Sequence, residues 1–406
     1  MKFLERLASS RAVQDGIYFS ILLVAFFIGL SPTVAIVFLG IGTGLFFLRL
    51  WKDPGTKMKE TYFRWFIVVY LIFGAASILV SPDRLYSLSV WYVLVLIYLF
   101  TYILISQNVT SREQVKHIAY ALGISAALVV LYGFFQFIFG IDTSDMKWVD
   151  GEAFPELRNR VFSTWENPNI LAAYLDIVVC VLLGMFTHIQ GRKIWILMLV
   201  GILCSLGCLA MTYARGACLT MAVIMLGYGA FKDKRILLGT LVLVIGALAL
   251  NPVLFERMST VFSMADTSSE MRIAMWESTI QMIMDHPIFG IGGGAYSLVY
   301  PIYDTYIVDG SVTLVHAHNI YLNYLAEVGI IGGMSFLMIF LGNMFMALFP
   351  QRELPDDFTR GMMAGLGLAL VSVALNGLTD DVLFNIPSSM LLWLMFGLVY
   401  VLKEKI

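Results

Sequence analysis

Twelve apolar runs, each near the length that crosses a bilayer, recur along these 406 residues and constrain the fold more than any other feature. They lie near 14–30, 33–50, 65–81, 88–106, 117–139, 169–188, 193–212, 216–231, 235–251, 319–349, 361–378 and 387–402. Crossing the hydrocarbon takes about 17–25 apolar residues. In lipid the backbone must satisfy its own hydrogen bonds, which a continuous apolar run does as a helix. The expected fold is therefore all-α: a polytopic integral membrane protein of about 12 transmembrane helices. A large extracytoplasmic loop containing short amphipathic helices is expected beside them. The eighth and ninth runs are marginal in length. Composition agrees, with 59% hydrophobic and 13% charged residues, about half the charge of a soluble domain. A net charge of −2 argues against nucleic acid, which requires a basic face. Cys180, Cys204, Cys208 and Cys218 all sit in apolar runs and read as packing residues.

The basic residues set the orientation. Nineteen of the 26 lysines and arginines fall in one alternate set of connections, from Lys2, Arg6 and Arg11 through Arg112 and Lys116 to Lys403 and Lys405. The opposite set holds seven: Arg84, Lys147, Arg158, Arg160, Arg215, Arg257 and Arg272. Both termini are thus expected on the cytoplasmic side, with the sparse set on the outer face of the membrane. The basic start resembles a signal peptide, but Ser31-Pro32 leads straight into a second run, so a retained helix is expected. No phosphate-binding glycine loop follows a strand, and a site facing outward has no cytosolic nucleotide to use.

One polar island interrupts the pattern, from Asn251 to Asn319 (loop 252–318). A stretch this long without an apolar span is usually functional. It carries His286, the glycines Gly290, Gly292, Gly293 and Gly294, and the run His316-Ala-His-Asn. The glycines suit a tight turn or a close backbone approach to a ligand. His316 or His318 is suited to act as a general base near neutral pH, against the plainer reading of a surface imidazole. A shared metal is the alternative, its shell completed only by Asp285, His286, Asp304 or Asp309 within the loop. Arg272 stands near the start of an expected helix, where a guanidinium and the helix dipole together favour phosphate. On that helix Ile273, Trp276, Ile280 and Ile283 form a stripe suited to lying on the membrane. The plainer reading leaves Arg272 and Glu277 on a solvated face.

Arg215 sits in a very short outward connection between two runs, Thr212-Tyr-Ala-Arg-Gly-Ala. An arginine at the membrane surface is costly unless paired or solvated, and suggests function over mere anchoring. Glu327, Asn323, Asp176 and Asn376 are polar groups at membrane depth, expected to face a cavity or each other. Asp380 and Asp381 close the eleventh run and could orient a base or bind an acceptor, against the plainer reading of a solvated loop tip. A second outward loop, about 140–169, contains Arg158, Arg160 and Trp165-Glu-Asn-Pro-Asn, with Asn169 expected to cap the sixth run.

Several of these motifs, in order, resemble the O-antigen ligase and polymerase superfamily of bacterial envelope glycosyltransferases. The strongest is His318-Asn319, nine residues, then Gly329-Ile-Ile-Gly332. Arg160-Val-Phe with Asn167-Pro-Asn, Arg215-Gly216, Arg272 with Trp276, and His286-Pro-Ile-Phe-Gly-Ile-Gly add to it. The resemblance covers residues 158–381 as a core, between N-terminal helices (1–157) and a C-terminal helix and tail (382–406). It implies transfer of glycan from an undecaprenyl diphosphate carrier to a hydroxyl of a glycan, lipid or protein acceptor, inverting, with no cofactor and no metal. His318 would be the base, with His316 the other candidate. Arg215 and Arg272 would hold the diphosphate. Asn319, Arg160, Arg158, Trp276, Glu327 and Asp380 would support them. Besides lipids no further partner is implied. A flippase or transporter is the competing class; it calls for paired interrupted helices and a midplane site, and no inverted repeat is evident in the sequence.

Overall fold

The computed structural model describes residues 10–53, 55, 58–140, 160–250, 252, 255, 267–304, 314–349 and 354–406. Arg158, Arg257, Asp309 and the middle of the expected loop lie outside them. The described residues form fourteen helices of eight residues or more and no strand. In chain order they are α1 (Ser10–Phe27), α2 (Pro32–Lys52), α3 (Arg64–Val80), α4 (Arg84–Asn108), α5 (Arg112–Phe139), α6 (Pro168–Phe186) and α7 (Arg192–Met211). Then follow α8 (Arg215–Lys232), α9 (Lys234–Leu250), α10 (Thr267–Asp285), α11 (Tyr296–Tyr303), α12 (Ile320–Leu348), α13 (Asp357–Asn376) and α14 (Ile386–Glu404).

Each of the twelve apolar runs is a helix here, with ends within a few residues of the sequence expectation. Eight of them, α2, α4 to α7 and α12 to α14, are long and apolar enough to cross a membrane. At 17 residues each, α3 and α9 are short, and α8 carries Arg215 and Lys232 at its ends. Length and composition therefore establish a polytopic helical membrane protein without fixing twelve crossings.

Helices α6 and α13 pack with their backbones in contact, and glycine is the reason. A Cβ on Gly184 would collide with the backbone of Gly365, and one on Gly365 would lie 2.7 Å from Val181 Cα. Such contact of backbones replaces, in lipid, the hydrophobic drive that packs helices in water. It also lets Asn376 Nδ2 donate to Asp176 Oδ2 at 2.7 Å, which partners one carboxylate oxygen and leaves Oδ1 buried without a hydrogen bond.

The tenth run departs from expectation. Its 29 residues exceed a single span, and α12 breaks at Gly329, whose φ of 75° is open to glycine. The break frees carbonyls, and the Gly290–Gly292 stretch takes them up. Ile291 N donates to Ala326 O at 2.9 Å and Gly292 N to Glu327 O at 3.1 Å, while Ile330 N donates to Pro287 O at 2.8 Å. A Cβ on Gly290 or Gly329 would strike this facing backbone. The glycine cluster thus approaches a helix break, where a ligand was one expectation.

One end of the bundle collects the starts of α6, α8, α12 and α14 with the ends of α7 and α13. The basic residues Arg49, Lys52, Arg112, Arg192, Lys232 and Lys403 mark the other end, in the first or last turns of their helices.

Candidate active site

Two turns at the sparsely charged end are stitched together. Asn319 caps α12, its side chain accepting from Leu322 N at 3.0 Å while its Nδ2 donates to Leu378 O at 3.1 Å. Ile320 N donates to Gly377 O at 2.9 Å, and Tyr321 Oη to Ala374 O at 2.8 Å. These bonds fix the His316–Asn319 turn against the end of α13. His318 Nδ1 then lies 2.8 Å from Asp380 Oδ1. A carboxylate only accepts, so Nδ1 carries a proton, which in the neutral tautomer leaves Nε2 with the lone pair. His318 holds a left-handed φ of 46°, uncommon outside glycine.

His316 differs from it. It is 6% exposed, packed edge-on to His318 and against Phe384. Its Nδ1 accepts from His318 N at 3.2 Å. Burial, with the nearby His318 adding, pushes its pKa down to about 4, so it is neutral near pH 7. Burial works to raise the Asp380 carboxyl, but the hydrogen bond and charge of His318, with His316 and Arg272, outweigh it and hold the group well below the usual carboxylate range. Asp381, buried and facing Glu327, goes the other way, up to about 7.

Asp380 also ties the pair to the 160–169 loop. Asn169 Nδ2 donates to Asp380 Oδ2 at 3.4 Å, and Arg160 donates to Asn169 Oδ1 and to Thr212 O, both at 2.7 Å. The cap of α6 is Asn167, whose side chain accepts from Asn169 N and Ile170 N; Asn169, the expected cap, is the link instead. The loop itself is anchored on α5. Gln136 accepts from Phe162 N and Ser163 N, and Ser163 Oγ donates to Val129 O at 2.7 Å. Non-helical backbone at that depth is tolerated because protein encloses it.

Arg215 opens α8 and is half-buried. Its neighbour Gly216 sits beside Thr379, whose Oγ1 would be 3.4 Å from an added Cβ. Arg272, half-buried on α10, is close enough for its charge to act on both His316 and Asp380. The α10 helix is seated by Met275, Thr279 and Met282, which are fully buried, and by Trp276 Nε1 donating to Ala317 O at 3.1 Å. Ile273 and Ile280 stay exposed, as an apolar stripe facing lipid would be. From below, Asn323 Oδ1 accepts from Ala317 N at 3.1 Å, and the half-buried Glu327 bonds to the Asn323 side chain and to Gly294 N. His286 is exposed at the end of α10, apart from this cluster.

His316, His318 and Asp380 offer ligand atoms within 4.8 Å of one another. Among the described residues the third member of this group is Asp380, and not Asp285, His286 or Asp304 as weighed in the sequence; Asp309 lies outside them. Sequence reasoning assigned Asn169 to the wrong task and overlooked Phe384 and Thr379; the Asn-Pro-Asn repeat after Arg160 was the available signal for Asn169.

Residues 200–337 match the O-antigen ligase family model. The matched segment runs from α7 into the second half of α12, about a third of the chain, and is consistent with the O-antigen ligase/polymerase superfamily. It takes in Arg215, Arg272, Trp276, His316, His318 and Glu327, while Arg160, Asn169 and Asp380 flank this ligase-family segment. The comparison with curated proteins finds no match.

Proposed function

We propose that the protein is a glycosyltransferase of the O-antigen ligase type. It moves glycan from an undecaprenyl diphosphate carrier to an acceptor hydroxyl on the outer face of the inner membrane, with both termini cytoplasmic. The observation that carries this reading is the Asp380–His318 pair, with the charge of Arg272 acting on Asp380 and with Arg215 next to Gly216, which sits beside Thr379. His318 Nε2 takes the proton of the acceptor hydroxyl as that oxygen attacks the anomeric carbon, and the configuration inverts. Asp380 fixes the ring and stabilises the imidazolium, as a carboxylate beside a base does. The anomeric bond breaks toward the diphosphate, where Arg215 and Arg272 meet the growing charge with planar donors. His316 is buried and its Nδ1 already accepts a hydrogen bond, which favours His318 as the base. Residues 158–381 form the core of this machinery.

The test compares cells carrying wild-type protein, His318→Ala or Arg215→Lys, with surface and lipid-linked glycans separated on gels. Full-length chains stranded on the carrier are expected from both variants, each losing about a hundredfold in transfer. Single repeat units piling up instead would make the protein a polymerase of the same superfamily. Wild-type glycans from His318→Ala would remove the base assignment and favour a lipid-linked oligosaccharide flippase. The clustering of His316, His318 and Asp380 supports a second reading in which they hold a cation. Purified enzyme that stays active in excess chelator would reject it.

A further inference from the structure

At the opposite end of the bundle a cavity of about 400 Å³ lies among the ends of α1, α2, α4 and α5. That volume is within the range of small-molecule sites. Its charged lining is Asp15 from α1, Arg49 from α2 and Lys59 from the α2–α3 connection, and its apolar lining is Phe46 and Leu50. Arg49 is held through its guanidinium and Lys59 through its backbone, its exposed side chain free to reach the cavity. Arg49 donates to Asn108 Oδ1 at 3.2 Å, and Asn108 is itself anchored on Leu104 O. Gln107 grips the backbone of Lys59 from both sides, accepting from its N–H at 2.7 Å and donating to its carbonyl at 3.1 Å. Among the described residues, Asp15, Arg49 and Lys59 form no ion pair with each other or with any other group.

Three charges of both signs around one cavity, unpaired, with apolar residues beside them, match a ligand that is itself zwitterionic and apolar at one end. Positive potential dominates there. Lys405, donating to Ser106 O and Val109 O, has its ammonium pushed down to about 8 by burial and by the charge of Lys59. A phosphate therefore belongs on the Arg49 and Lys59 side, where a guanidinium can grip two oxygens. An ammonium with three donors belongs on Asp15. The helix ends put the cavity at headgroup level, and basic pockets between helices recognise lipid headgroups there.

We propose that this cavity binds the headgroup of a phospholipid bearing a primary ammonium, phosphatidylethanolamine in chemical class, in the leaflet away from His318. Its phosphate rests on Arg49 and Lys59, its ammonium on Asp15 and its glycerol end against Phe46 and Leu50.

The full-length protein, purified and offered phosphatidylethanolamine, phosphatidylcholine or phosphatidylglycerol of matched acyl chains, is read by native mass spectrometry for retained lipid. Phosphatidylethanolamine should be retained at least severalfold over the other two. Phosphatidylcholine lacks N–H donors and phosphatidylglycerol lacks a cation, so each fails at Asp15. Asp15→Asn should reduce the preference over phosphatidylglycerol to near parity, while Arg49→Gln should weaken all three. Both variants should melt with the wild-type midpoint, since neither residue packs the core. Equal retention of the three lipids, or an unchanged preference in Asp15→Asn, would overturn the proposal. Tight binding of free phosphoethanolamine by delipidated protein would overturn the lipid assignment in favour of a soluble phosphate ligand.

Discussion

At the scale of single residues, the site turns on what Asp380 accepts. Its Oδ1 accepts a hydrogen bond from His318 Nδ1–H and another from the Asp381 backbone N–H at 2.9 Å. Asp380→Asn would present a donor or a weaker acceptor to Nδ1 and lose the fixed tautomer. Glycan transfer should then fall roughly a hundredfold or more, with little change in donor binding. Stability gives an independent readout with a defined sign. The folded-state pKa of Asp380 is depressed, so its pairing stabilises the fold above the ordinary carboxylate pKa of about 4 and is lost as pH falls through the folded value. Wild-type and Asp380→Asn melting curves should differ at neutral pH and converge in acid. Curves that stay equally far apart at every pH would contradict an ionised, paired Asp380. Much of this was legible in the sequence: His318, Arg215 and Arg272 stand out by charge in an apolar chain. Asp380 was legible as one of two acids that could orient a base, but not as the partner of His318, which lies 62 residues away with no spacing rule to join them. Asn169 looked like a cap because Asn before a helix usually is one.

Elements place these residues, and α12 does so by being broken. Nine residues separate Asn319 from Gly329, so the first half of α12 carries Asn323 and Glu327 under the His316–Ala317–His318 turn. The spacing that carried the resemblance is thus a length of helix between a cap and a break. Gly329→Ala should be destabilising by roughly 2–4 kcal/mol, since it combines a φ of 75° with a clash against Ile288 O. A thermal shift measured in detergent should show the loss, with transfer falling further than stability alone explains because the turn moves with the helix. Gly293→Ala is the control: its Cβ would meet only Val90 at 3.5 Å, an ordinary contact, and a wild-type midpoint is expected. If Gly329→Ala melts like Gly293→Ala, the break is not what holds the turn. Apolar periodicity announced a helix at 319–349 but could not announce its interruption. That depends on which carbonyls Ile291 and Gly292 reach from another part of the chain.

For the whole molecule, helix ends and charge agree on one arrangement. The runs were legible because lipid leaves the backbone no alternative to helix, and every run found its helix. The number of crossings was not, because α3 and α9 are short enough to end inside the membrane or to cross it. Orientation rests on the same physics as the count of charges: lysines and arginines resist transfer and stay on the side of synthesis. The His318 site lies at the end with few of them, Arg112, Arg192 and Lys403 at the other. Two exposed positions separate the possibilities, His286 at the end of α10 and Glu113 in the first turn of α5. In a cysteine-free background, His286→Cys should react with a membrane-impermeant thiol reagent in intact spheroplasts. Glu113→Cys should react only after permeabilisation. The reverse pattern would put the histidine pair on the nucleotide-rich side and remove the reason for a lipid-borne donor. Labelling of both in intact spheroplasts would mean that these two ends do not face opposite sides, and would break the arrangement itself. The expected pattern would put Arg215, at the first turn of α8, on the outer side, where the proposed polyprenyl carrier would present its diphosphate.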